Sequence, residues 1–219
     1  MGLRDAQDMT TRILIADDHP IFRDGLTRLI ESAGGREVVG EASSSQETID
    51  MAGRTKPDLV ICDVVMPGRG AVETIQDLKR ILPKTSILML SGRPEDHLAM
   101  RCLKEGASGY VTKGSVTDEL LEAIRRVSSG GRYVSPAMAE QLVMSLDPGR
   151  DAAPHERLSD REYQVMSMIA VGKTPREIAE ELFLSVKTVS TYRARILEKM
   201  ELKNNAELMR YALREGLVT

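Results

Sequence analysis

The sequence has no apolar run approaching the roughly 20 residues that span a bilayer, which argues against a membrane-crossing helix. Its two cysteines, Cys62 and Cys102, lie far apart and form no metal-like or redox-like spacing. Internal repeats and low-complexity tracts are missing, which removes the repeat architectures. An excess of charge of either sign is missing too, the net being −3. Residues 155–219 hold 11 Lys and Arg against 10 Asp and Glu, and residues 1–154 hold 19 against 23. Total charge therefore selects neither nucleic acid nor membrane as a partner, and local charge must decide. The first ten residues are polar and carry acids, which predicts no signal peptide, and the expected compartment is cytoplasmic. A length of 219 residues suggests one or two domains.

What is present is organised around Leu59-Val60-Ile61-Cys62-Asp63, an apolar run closed by one carboxylate and followed by Met66-Pro67-Gly68. Such a run reads as a buried strand of a parallel sheet, and Cys62 within it as a small hydrophobe. Asp63 then lies at the carboxyl end of the strand, where open α/β sheets bind ligands. Three further strands end in polar groups: Arg12–Ala16 in Asp17-Asp18, Ser86–Leu90 in Ser91, and Gly109–Thr112 in Lys113. A single strand-end Asp is most often a turn former or helix cap. Three carboxylates, a hydroxyl and an ammonium at one sheet edge make a usable chemical set.

Helical segments alternate with these strands. Pro20 suits a first helical position, and Phe22, Leu26, Leu29 and Ile30 share one face. A short strand over 37–42 follows Gly34-Gly35, and Ser43-Ser44-Ser45 caps the next helix. Helices are predicted from about Ala71 to Leu82, from Pro94 to about Glu105, and on a face of Val116, Leu120, Leu121, Ile124 and Val127. Five strand–helix repeats predict a doubly wound, five-stranded parallel α/β sheet of flavodoxin-like type over about residues 10–130. Residues 131–157 read as a linker, part helical from Ser135-Pro136 to about Met144, with Asp147-Pro148-Gly149 and Ala152-Ala153-Pro154 as flexible stretches. From about 158 to 219 the pattern is all helical. Ser159 with Glu162 forms a capping box, Thr174 caps Pro175, Ser185 caps a longer helix to about Met200, and a final helix runs from about Asn205 to Glu215.

Clustered carboxylates repel one another and favour a bound cation or proton. An all-oxygen, water-accessible set suits Mg²⁺, which keeps several waters and accepts phosphate ligands. Asp63 can attack phosphorus, Lys113 can pair with a phosphate oxygen, and Ser91 can donate to another. In the plainer alternative, Asp17 and Asp18 cap a helix and Lys113 pairs with an acid.

The stretches Ala16-Asp17-Asp18-His19-Pro20, Asp63-Val64-Val65-Met66-Pro67-Gly68 and Gly109-Tyr110-Val111-Thr112-Lys113 resemble the motifs of two-component receiver domains. The resemblance implies that Asp63 is phosphorylated by a sensor histidine kinase. It also implies that Asp17, Asp18, Asp63 and the backbone carbonyl of Val65 serve Mg²⁺, and that Ser91 and Tyr110 are the switch hydroxyl and aromatic. Two departures stand out: Gly114 replaces a frequent Pro, so a cis bond after Lys113 is not to be assumed, and Ala71 replaces a frequent Gly. An aspartyl-phosphate phosphatase would resemble a pattern with a second Asp two residues after the nucleophile. Val65 stands there and cannot transfer a proton, so the chain is expected to be a phosphoryl acceptor with slow self-dephosphorylation, not a turnover enzyme.

In the helical region, Val189, Ile196 and Met200 share one helix face, opposite Lys187, Ser190, Thr191, Ala194 and Glu198, with Arg193, Arg195 and Lys199 on the shoulders. A small outer face with basic shoulders suits a DNA major groove, although the wheel alone leaves an ordinary solvated helix equally open. Leu158-Ser159-Asp160-Arg161-Glu162 and Ser185-Val186-Lys187-Thr188-Val189-Ser190-Thr191-Tyr192-Arg193 resemble the LuxR-type helix-turn-helix. The whole chain thereby resembles NarL/FixJ response regulators. The resemblance implies double-stranded DNA as partner and a homodimer through the final helix. Base-facing roles fall to Ser190, Thr191 and Ala194 beside Lys187, and the wheel puts Arg193, Arg195 and Lys199 on the shoulders, where cations reach phosphates. The alternative is a phospho-dependent protein-interaction regulator whose helical domain does not bind DNA.

Overall fold

In the computed structural model, residues 10–92, 97–114, 117–135, 138–139 and 153–218 are described. Five short strands rich in Ile, Leu and Val pair in parallel: β1 (Thr11–Ala16), β2 (Arg36–Ala42), β3 (Leu59–Asp63), β4 (Ser86–Ser91) and β5 (Gly109–Thr112). Their order is β2-β1-β3-β4-β5, the doubly wound arrangement expected. Because successive side chains of a strand point to opposite faces, each strand supplies two cores. Leu14, Ala16, Val60, Cys62, Ile87 and Met89 join one cluster, which holds residues of α2 (Ser45–Thr55), α3 (Ala71–Ile81) and α4 (His97–Lys104). Ile13, Ile15, Leu59, Ile61, Leu88 and Leu90 join the other, with α1 (Pro20–Ser32) and α5 (Thr117–Ser128).

The strand order reverses between β1 and β3. The chain leaves these two strands toward opposite faces, and a crevice opens at their carboxyl ends. Asp17 follows β1 and Asp63 ends β3, so topology alone brings both to that crevice.

Contacts divide the chain into two units, Met1–Met144 and Ser145–Thr219. Tyr133 bridges to Gly109, its N–H donating to Ser108 O and its carbonyl accepting from Tyr110 N. The first residues of the expected linker thus run beside β5. Ser135 Oγ accepts from Met138 N at 3.2 Å, consistent with a helix start there. The rest of that expected helix to Met144, the Asp147-Pro148-Gly149 turn, the polar start of the chain, and Pro94 and Val116 lie outside the described residues.

The second unit opens with a short 3₁₀ turn, Pro154–Arg157, and then α6 (Asp160–Ala170), α7 (Pro175–Glu181), α8 (Val186–Lys199) and α9 (Asn205–Arg214). Ser159 and Thr174 form complete capping boxes with Glu162 and Glu177, and Ser185 and Asn204 accept from Thr188 N and Glu207 N. Each such cap contributes roughly 1 kcal/mol. Val189, Ile196 and Met200 are buried with Met166, Ile169, Ile178 and Leu208, so the predicted inner face of α8 is the observed one. His155, from the expected linker, is buried, with Nδ1 2.6 Å from the hydroxyl of Tyr211 on α9.

Candidate functional site

At the sheet edge, Asp63 is 3% exposed and Asp17 is fully buried, while Asp18 is half-buried. The Lys113 ammonium joins them, with Nζ 2.6 Å from Asp17 Oδ2 and 2.7 Å from Asp63 Oδ2. It also stands 4.8 Å from the centre of the Phe22 ring, a cation–π contact. Val65 N donates to Asp63 Oδ1 at 3.2 Å, so the backbone two residues on already faces the carboxylate. Lys113 N donates to Ser91 O at 2.6 Å, extending the β4–β5 ladder beyond Thr112. Ser91 and Tyr110 are both buried, Tyr110 in the same cluster as Leu98, Ala99, Cys102 and Leu103. Among the described residues no peptide bond is cis.

Burial pushes the Asp63 carboxyl up to about 6, and the Asp17 charge adds to this, against the downward pull of the Lys113 hydrogen bond and charge. Burial also disfavours charge on Lys113, yet its bonds to Asp17 and Asp63 prevail and hold the ammonium above its ordinary range. Burial pushes the Cys62 thiol up, which keeps it protonated and unreactive, as its strand position suggested.

Ligand atoms of Asp17, Asp18, His19 and Asp63 all lie within 4.8 Å of one another. Three carboxylates form a hard, oxygen-rich set that fits Mg²⁺. The sequence reading did not include His19, which sits 2.8 Å from Asp18 Oδ1 through Nδ1 and donates its backbone N–H to Asp17 Oδ1. Nor did it include Arg23, whose side chain donates to Asp17 O at 2.6 Å and to Glu41 Oε2 at 2.8 Å. Adjacency to Asp17-Asp18 was the available signal for His19. Arg23 lies on α1 and its partner Glu41 on β2, and no spacing announces the pair.

On α8, Lys187, Ser190, Thr191, Ala194 and Arg195 are exposed. Ser185, Lys187, Thr188, Thr191, Tyr192 and Arg195 line an open depression of about 350 Å³. Two cations named for DNA contact are already engaged within the unit. Arg193 Nε donates to Asn205 Oδ1 at 2.6 Å. Lys199 Nζ lies 2.6 Å from Oε2 of Glu162, a carboxylate 3% exposed. Burial works against the Glu162 charge, but Lys199 and the N–H and hydroxyl of Ser159 outweigh it and hold the carboxyl below its usual range.

Comparison with known proteins gives the same two parts. Residues 13–125 match the response regulator receiver domain, and residues 156–212 match the bacterial regulatory proteins of the luxR family. Response regulator GacA of Pseudomonas aeruginosa is 39% identical over 208 residues, 94% of this chain and 97% of its own. Response regulator UvrY of Escherichia coli is 37% identical over 206 residues, covering 94% of each chain. A structure of two RcsB dimers bound to two parallel DNAs aligns with a TM-score of 0.58 at 26% identity, covering 92% of this chain and 97% of that one. Among the described residues no helix is long and apolar enough to cross a membrane. With a receiver domain followed in sequence by a LuxR-type helix-turn-helix, the chain belongs to the NarL/FixJ family of two-component response regulators, which are DNA-binding transcription factors.

Proposed function

We propose that this regulator is switched by phosphorylation of Asp63 from the phosphohistidine of a sensor histidine kinase. The observation that carries the reading is the Lys113 ammonium held against a buried strand-end carboxylate. A carboxylate oxygen of Asp63 attacks phosphorus, the P–N bond to the kinase imidazole breaks, and the bonding electrons leave on that ring nitrogen. Lys113 would balance charge on the transferred group, and Asp17, Asp18, Asp63 and the Val65 carbonyl would hold Mg²⁺, a reading supported by the clustering of the three carboxylates. When bound, Mg²⁺ offsets charge on the phosphoryl oxygens. Ser91 and Tyr110, both buried near this edge, are the proposed switch pair. Chemically the acceptor is consumed once per event, so the chain acts as a switch and not as a turnover enzyme.

Residues 10–130 are proposed as the phospho-accepting unit, 131–157 as the connection and 158–219 as the reader of double-stranded DNA. Homodimers on DNA are supported by the RcsB relative and by Leu213 of α9, which is 59% exposed. A cytoplasmic site of action follows from the same reading. The test is labelling with a small acyl phosphate and Mg²⁺: Asp63→Asn should abolish it. Labelling that persists in this variant without transfer to a neighbour such as Asp17 would overturn the assignment. Steeply salt-sensitive duplex binding separates this function from a protein-interaction regulator that has lost DNA binding.

A further inference from the structure

We infer that α8 reads its operator mainly through the C5-methyl groups of thymine, an inference that rests on the DNA-binding reading of the helical unit. The two residues with hydroxyl side chains at the base-facing positions have committed their hydroxyl protons to the backbone of their own helix. Ser190 Oγ donates to Val186 O and Thr191 Oγ1 donates to Lys187 O, each at 3.0 Å. A hydroxyl bonded to the carbonyl one turn back has no proton left for a base acceptor. With both hydroxyl protons spent, the apolar groups this exposed strip offers are Val186, 48% exposed, the Ser190 β-carbon, the Thr191 γ-methyl and the Ala194 methyl.

Residues four apart stand one above another on a helix, so 186, 190 and 194 form one row and 187 and 191 the row beside it. Exposed Lys187 and Arg195 border the strip. In the major groove, the thymine methyl is the apolar feature that such a surface can bury, and it marks T·A against every other pair. Cations at the borders hold the helix on the phosphates, while methyl contacts set the sequence.

The experiment uses the full chain and a duplex selected from a random pool, with each thymine replaced in turn by deoxyuridine, which removes the methyl alone. The wild-type chain should lose about four-fold in affinity at each contacted thymine, the burial of one methyl group. Thr191→Ser, which keeps the hydroxyl and removes the methyl, should erase that penalty at one thymine. Thr191→Val, which keeps the methyl and removes the hydroxyl, should retain it. Val186→Ala should erase the penalty at a different thymine. Duplex binding with no uracil penalty anywhere overturns this inference alone. So does a penalty that survives Thr191→Ser and vanishes in Thr191→Val. Absence of binding to any duplex overturns the DNA-binding reading with it.

Discussion

Ser45 Oγ accepts a hydrogen bond from Arg69 N at 2.7 Å, fastening the first turn of α2 to the loop that follows Asp63. Ser45 N also donates to Pro67 O at 3.1 Å. Between those partners, Gly68 has φ +105, and a β-carbon there would stand 2.3 Å from Ser45 Oγ. Arg69 further pairs with the buried Asp77 of α3. The loop carrying the Val65 carbonyl is thus held from both neighbouring helices.

Ser45→Ala should leave the Arg69 N–H without this acceptor and destabilise the first unit by about 1–3 kcal/mol. Gly68→Ala adds a clash and a left-handed backbone that Ala disfavours, so it should cost more. Chemical denaturation measures both. Equal stability of wild type and Gly68→Ala would show that the loop gives way freely.

Val65 is 43% exposed and offers methyl groups where a polar side chain could orient an attacking water. Losing one orienting group slows hydrolysis by roughly ten-fold or more. Val65→Asn should therefore lose its phosphoryl group faster than wild type. The measurement is decay of phosphorylated protein after donor removal, with Mg²⁺ present. Equal or slower decay in a folded variant would show that water placement here does not set the lifetime.

Arg195 is exposed, whereas Lys199 is paired with Glu162 and Arg193 with Asn205. Arg195→Ala should reduce the salt slope of DNA binding by about one unit and leave stability unchanged. Lys199→Ala should do the reverse, destabilising the helical unit by about 1–3 kcal/mol with little change of slope. Arg193→Ala should show both effects. A full unit of slope lost in Lys199→Ala would place that ammonium on DNA after all.

The Glu162 carboxyl is held low by Lys199 and Ser159 against the opposing effect of burial. Its ionised form is preferred in the folded state, so its stabilisation is complete above the unfolded value near 4.5 and fades as pH falls through the folded value. Glu162→Gln should flatten the acid limb of the thermal midpoint, below the unfolded value near 4.5, and lower the plateau. An unchanged acid limb would mean that other carboxylates govern it.

Strand ends were legible because a buried parallel strand writes itself as an apolar run, and its first polar residue marks the ligand-binding edge. Asp17, Asp63 and Lys113 were found that way, and they meet within hydrogen-bonding distance. Helix starts were legible through Ser159, Thr174 and Ser185, since caps act within four residues. Contacts between elements distant in sequence were not. Ser45 read as a cap candidate and proves to hold a loop 24 residues away. Lys199 read as a phosphate contact because a helical wheel shows the side a residue faces but not the α6 carboxylate waiting there.

One bond beyond the end of the sheet ladder has a mechanical corollary. Lys113 N is tied to Ser91 O, so the hydroxyl-bearing and ammonium-bearing residues sit on a single plank of backbone. A group that pulled one strand end toward itself would drag the other along. Shear between these strands is therefore a poor way to answer the arrival of a small anion. Rotation about side-chain bonds is the remaining freedom, and the Ser91 hydroxyl needs only one such rotation to leave or enter the crevice. The edge behaves as a fixed bench carrying swivelling tools. Under the proposed phosphorylation of Asp63, a signal leaving this edge would start with a turned side chain, which the neighbouring helices would feel as a change in the space available to them.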